Sequence, residues 1–118
     1  MSDRLYQNLI VWKEAHKLCL CIYSVTKTYP SDERFGLVSQ MRRSSSSIPT
    51  NIAEGNAKKS KKDRSRFFGI SLGSLEELHY QCLLSRDLQF ITQDTFNEIT
   101  DNIQRTGYLL HKIRSSLL

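Results

Sequence analysis

The run Lys58-Lys59-Ser60-Lys61-Lys62-Asp63-Arg64-Ser65-Arg66 concentrates the charge of this chain in nine positions. It holds six of the 17 basic residues and one of the 12 acidic ones. Its net charge of +5 equals that of the whole chain, so the remaining 11 basic and 11 acidic residues balance. A block of this kind raises the local concentration of polyanions such as nucleic acid. Phosphate contacts from lysine and arginine give affinity without reading sequence. Where the run opens a helix, the free backbone amides of the first turn add partial positive charge for a phosphate. Phe67 and Phe68 follow the run and are expected in the core, which argues against base stacking as the main binding mode. The competing reading is a solvated basic helix start with no ligand.

Other chemistry finds little support. Glu54 has the type of a general base, but no nucleophile, second acid or ligand set accompanies it. No phosphate-binding loop, triad spacing or nucleotide fingerprint occurs, so no enzyme activity and no cofactor is expected. The histidines His16, His79 and His111 lack ligand spacing, although helix pairing could bring His16 and His111 to one level. Cys19 and Cys21 diverge by about 200° on a helix, and with Cys82 they read as small reduced hydrophobes. No metal site is expected.

The elements that must position the basic run read as helices. At 118 residues, with 39% apolar and 25% charged residues, the chain suits one soluble domain spanning 1–118. Only two prolines and five glycines interrupt it. No apolar run approaches the roughly 20 residues needed to cross a bilayer, so no membrane role is expected. Met1-Ser2-Asp3-Arg4 opens no signal peptide, and the expected compartment is the cytoplasm.

Val11, Ala15, Leu18, Ile22, Val25 and Tyr29 form one helical seam, and Leu9, Trp12, His16, Cys19 and Tyr23 form a second beside it. Two seams make an apolar face wider than one partner helix needs. Pro30 stops this helix, and Ser31 is placed to cap the next. Val38, Met41, Ser45, Ile48 and Ile52 keep their phase through Pro49, so a kink is expected there rather than a stop. The serines Ser44 to Ser47 permit close helix approach, and their hydroxyls can bond the disturbed backbone. Ser60 with Asp63 has capping-box spacing at the start of a third helix. Gly69 and Gly73, four apart, suggest tight helix packing. Thr92 caps a fourth helix whose seam is Phe96, Ile99, Ile103, Thr106, Leu110, Ile113 and Leu117.

The spacing therefore predicts an all-α, antiparallel up-down-up-down four-helix bundle, with helices near Asn8–Tyr29, Asp32–Asn56, Lys61–Phe90 and Gln93–Leu117. Pairing about the turn at Lys58 and Lys59 predicts Arg42 near Glu76 and Glu54 near Arg64, and pairing of the first two helices predicts Pro49 level with Trp12. Arg42 or Arg43 is then placed to bond Glu76 or Glu77, a pairing that fixes register more than it stabilises. Asn51 and Gly55 share a face, where an interhelix amide bond and close packing are expected.

The segment Gln40-Met41-Arg42-Arg43-Ser44-Ser45-Ser46-Ser47-Ile48-Pro49-Thr50-Asn51-Ile52-Ala53-Glu54-Gly55 resembles the signature of the four-helix-bundle proteins encoded by intervening sequences of bacterial 23S ribosomal RNA genes. Leu9-Ile10-Val11-Trp12-Lys13 looks like the family's opening helix. Tyr29-Pro30 with Phe35-Gly36-Leu37 looks like its first turn, and Gly73-Ser74-Leu75-Glu76-Glu77-Leu78 like its third helix. Alanine or another small residue is also usual at Ser44 and Ser45. The resemblance implies a barrel-like homopentamer. It also implies kinship with accessory proteins of diversity-generating retroelements, which bind nucleic acid and a reverse transcriptase.

The resulting expectation is a non-enzymatic oligomer that binds RNA through Lys58, Lys59, Lys61, Lys62, Arg64 and Arg66, with Arg43 as an addition. The alternative is a protein-interaction scaffold, docking a partner such as a reverse transcriptase. Exposure of the basic run, against its neutralisation by Glu54, Glu76 and Glu77, separates the two.

Overall fold

The computed structural model describes residues 4–118. Met1, Ser2 and Asp3, on which the reading of the N-terminus partly rests, lie outside the described residues. The helices are α1 (Ile10–Thr26), α2 (Leu37–Ala57), α3 (Lys61–Asp87) and α4 (Gln93–Ser115), and no strand occurs among the described residues. Short 3-10 turns, Leu5–Asn8 and Ser31–Glu33, precede α1 and α2. α1 packs on α2 and α4, and α3 packs on the same two helices. The four helices thus close a ring around one core, and among the described residues the diagonal pairs show no close backbone approach.

The core follows the expected seams, except that the second seam of α1 stays at its edge: Leu9, Trp12 and Cys19 are half-buried, and His16 and Tyr23 are exposed. Ala15, Leu18, Ile22, Met41, Ile48, Ile52, Phe68, Leu78, Cys82 and Leu110 are fully buried. Burying side chains of this kind stabilises by about 1.5–3 kcal/mol each. Serines line the contact between α2 and α3, where Ser44, Ser71, Ser74 and Ser85 are buried, and Ser45 is buried toward Cys19 of α1. Their small volume lets the two backbones approach, and every hydroxyl finds a partner, as burial requires. Ser44, Ser45 and Ser46 donate to the carbonyls of Met41, Arg42 and Arg43. Ser71 Oγ reaches across to the Ile48 carbonyl at 2.8 Å, and Ser47 and Ser74 bond each other at 2.9 Å. α2 runs uninterrupted through Pro49, which is buried.

Three boundaries differ from the expected ones by three residues or more. α1 ends at Thr26 rather than Tyr29. α2 begins at Leu37 rather than Asp32. Ser31 does not cap it; Gly36 holds the N-cap, and the Glu33 carboxylate accepts the Leu37 amide at 3.3 Å. α3 ends at Asp87 rather than Phe90. Gln89 adopts a left-handed φ of 64°. Phe90 N–H then bonds the Ser85 carbonyl at 2.8 Å, and Gln89 N–H bonds that of Arg86 at 2.9 Å. This pair of bonds is a Schellman stop, made without its usual glycine. The Phe90 ring closes on buried Tyr29 at 5.3 Å.

Gly55 meets the expectation of close packing: a Cβ there would lie 2.8 Å from Phe68 Cε1 and 3.0 Å from Phe67 Cβ. The glycine pair of α3 does not. Gly73 faces open space, and Gly69 makes room for the Arg114 guanidinium rather than for a helix backbone.

Candidate nucleic-acid interface

The basic run occupies the turn between α2 and α3 and the first turn of α3. Ser60 caps α3, its hydroxyl accepting the Asp63 amide at 3.1 Å. Asp63 in the first turn complements the helix dipole, as the capping-box spacing anticipates. Lys58, Lys59, Lys61, Lys62 and Arg66 are exposed. Arg64 is half-buried; its Nη2 donates to Asn56 Oδ1 at 3.3 Å, and its Nε is buried without a partner. Glu54 is exposed and does not pair with Arg64. Asn56, not Glu54, supplies the acceptor that Arg64 reaches on α2. Among the described residues no carboxylate forms an ion pair with any cation of the run.

The signature arginines divide. Arg43 pairs with Glu77 and donates to Gln40 Oε1 at 3.0 Å. From Glu77 a chain of bonds runs inward through Gln81 Nε2 at 3.2 Å to Ser44 Oγ, 2.6 Å from Gln81 Oε1. Arg43 is therefore tied into a polar network between α2 and α3, away from the run. Arg42 does not approach Glu76. It turns to α1, where Nε donates to Thr26 Oγ1 at 3.0 Å and Nη2 to the Tyr23 carbonyl at 3.3 Å. Its guanidinium lies 4.8 Å from the Tyr23 ring centre. Successive helix positions are about 100° apart, so adjacent Arg42 and Arg43 must serve different neighbours. Glu76 instead lines a groove between α3 and α4 with His79, Tyr108 and His111. Asn51 makes no interhelix bond; its amide donates within α2 to the Ser47 carbonyl at 2.8 Å and to Ser47 Oγ at 3.0 Å, and Ser47 carries the link to Ser74.

Sequence reasoning missed three residues at this end of the molecule. Arg114, 49 positions away, brings Nε to Ser65 Oγ at 3.0 Å and lies beside the first turns of α3. Arg4 lines a cavity of about 340 Å³ with Asn56 and Ala57, at the end of α2. The third is Phe67, expected in the core. Only Phe68 is buried; Phe67 stays half-exposed. Lys58 Nζ lies 5.1 Å from its ring centre and Arg66 Cζ lies 4.6 Å from it. The signal was available, because two adjacent helical residues cannot both face one core.

The remaining titratable groups sit elsewhere. His16 stacks on Trp12 at 4.8 Å, and both line the α1–α2 groove with Pro49 and Glu54. His111 belongs to the α3–α4 groove, so the two histidines do not converge. No group of three or more His, Cys, Asp or Glu is placed to hold a metal among the described residues. Burial pushes all three thiols up, with Glu98 adding to the effect at Cys21. Cys82, fully buried, is pushed to about 12. No helix among the described residues is long and apolar enough to cross a membrane.

Four helices without strands, with serine-lined packing and a charged end, define an all-α four-helix protein. The sequence profile of the 23S rRNA-intervening sequence protein family matches residues 7–112, and the chain belongs to that family. Its fold is similar to a crystal structure from Bacteroides thetaiotaomicron, a protein of unknown function from the S23 ribosomal protein family. The two are 23% identical, with a TM-score of 0.80 over 89% of this chain and 98% of that one. No curated protein matches the chain.

Proposed function

We propose that this protein is a non-enzymatic, cytoplasmic RNA-binding protein that acts as a homo-oligomer, a pentamer by family resemblance. Its contact surface is the basic end formed by Lys58, Lys59, Lys61, Lys62, Arg64 and Arg66, and Arg4 and Arg114 extend it. Arg43 contributes less, because Glu77 already holds it. One observation carries the reading: among the described residues the cations of the run have no ion-pair partner, and Glu54, the carboxylate expected near Arg64, stays exposed and unpaired. Several copies would present several such ends and convert weak phosphate contacts into avidity.

The bundle is read as antiparallel and up-down-up-down, bent at Pro49. The cross-links Met41 to Ser85, Ser44 to Gln81, Ser47 to Ser74 and Ile48 to Ser71 support opposite directions for α2 and α3. Loss of the amide at Pro49 supports the bend. Self-association is supported by the apolar side chains left open on the outer faces, Leu20 at 57%, Tyr80 at 62% and Tyr108 at 65% exposure. Sedimentation equilibrium at micromolar concentration gives an oligomer on this reading and a monomer against it.

The direct test replaces Lys58, Lys59, Lys61 and Lys62 by Gln. RNA affinity of the parent falls with salt by roughly 0.7 to 0.9 log units per log unit of salt for each phosphate neutralised. The variant binds more weakly to every RNA and shows a flatter slope, with helix content unchanged. Equal affinity and slope would sink the assignment. No binding by the parent at low salt would favour the second reading, a protein-interaction scaffold whose basic face docks an acidic partner.

A further inference from the structure

Phe67 sits in the middle of the proposed contact surface and is not used by phosphate binding. Its ring is half-exposed on the first turns of α3. Lys58 approaches it from the α2–α3 turn and Arg66 from the preceding residue, at 5.1 and 4.6 Å from the ring centre. The base of the side chain is packed against α2, since a Cβ at Gly55 would lie 3.0 Å from Phe67 Cβ. Phe68, one residue on, is locked in the core. A partly exposed phenyl ring flanked by two cations, at the end that also carries the exposed Lys59, Lys61 and Lys62, sets an aromatic surface beside phosphate-binding charge.

We propose that Phe67, with the Arg66 guanidinium beside it, is a stacking platform for an unpaired RNA base. This rests on the RNA-binding reading and narrows its substrate class to single-stranded or looped RNA. Duplex RNA keeps its bases stacked on one another and offers only phosphates and 2′-hydroxyls. An unpaired strand can lay a base on Phe67 or on the guanidinium plane. Lys58, 5.1 Å from the ring centre, and the exposed Lys59 and Lys61 near it in sequence would then take the flanking phosphates. Such stacking tolerates any base, because every base has a π face. The surface would therefore select strandedness rather than sequence.

The test compares a single-stranded RNA oligonucleotide with the duplex of the same length, by fluorescence anisotropy at one fixed salt concentration. The parent is expected to favour the single strand. Phe67→Leu keeps an apolar side chain of similar size but removes the π face. It is expected to lose roughly tenfold in single-strand affinity and to leave duplex affinity unchanged; Phe67→Trp restores single-strand binding. A second measurement uses the unaltered protein: single-stranded RNA carrying a photoreactive uracil is irradiated in the complex, and the adduct is mapped by mass spectrometry. An adduct on Phe67 supports the platform. Adducts confined to other residues overturn it, as does Phe67→Leu binding both RNAs like the parent, or losing both equally. In those cases the lysine-to-glutamine variant still loses affinity, and the phosphate reading stands alone. A parent that binds neither RNA at low salt overturns both.

Discussion

Replacing Gly55 by Ala sets two effects of similar size against each other. Gly55 lies in the last turn of α2, and in a helix interior Ala is favoured over Gly by about 1 kcal/mol. Propensity alone therefore makes Gly55→Ala stabilising. The packing says otherwise. The new methyl would sit 2.8 Å from Phe68 Cε1 and 3.0 Å from Phe68 Cδ1 and Phe67 Cβ. Phe68 is fully buried, so its ring cannot swing into solvent. Forcing a methyl into a packed core costs about 1–3 kcal/mol. The propensity gain is also weakened in the fraying last turn. The expected net is a loss of about 1–2 kcal/mol, or roughly 4–8 °C in melting temperature for a domain of this size. Gly73→Ala is the internal control, because its Cβ meets nothing within 4 Å. The propensity gain there is unopposed, and that variant is expected to gain about 0.5–1 kcal/mol. Urea unfolding followed by circular dichroism, at one protein concentration for all three proteins, reads both changes. A Gly55→Ala variant as stable as the parent, or a destabilised Gly73→Ala, would refute the packing argument.

Two further outcomes follow from the same geometry. Gln89→Gly relieves the left-handed residue of the Schellman stop, where an L side chain costs about 1 kcal/mol, and is expected to raise the urea midpoint without changing its slope; an unchanged or lower midpoint contradicts this. Burial holds the Cys82 thiol up from 9.0 to about 12, so the unfolded chain releases that proton first and folded stability falls as pH rises through that interval, being intact below it. Iodoacetamide at pH 8 should accordingly spare Cys82 until the protein unfolds, with Cys19 and Cys21 alkylated first by mass spectrometry.

The three-four spacing of apolar residues determined the four helices, because a stripe of that period has nowhere to be buried except against other helices. Composition located the excess charge in one run, and the small residues around Gly55 announced a close approach. Where the helices begin and end was less legible. The stop at Gln89 carries neither glycine nor proline, and it depends on backbone bonds back to Ser85 and Arg86 together with the Phe90–Tyr29 contact. The partner of each charged side chain was decided by tertiary structure alone. Linear pairing placed Arg42 opposite Glu76, but side-chain direction around the helix sends it to Thr26 on α1 and leaves Glu77 to Arg43. The same cause enlarges the basic end. Arg114 reaches Ser65 from α4, and Arg4 reaches the end of α2, over sequence separations no local pattern encodes. Phe67 and Phe68 differ by one position and about 100° of helix. Only the packed bundle decides which of the two becomes core and which remains available at the surface.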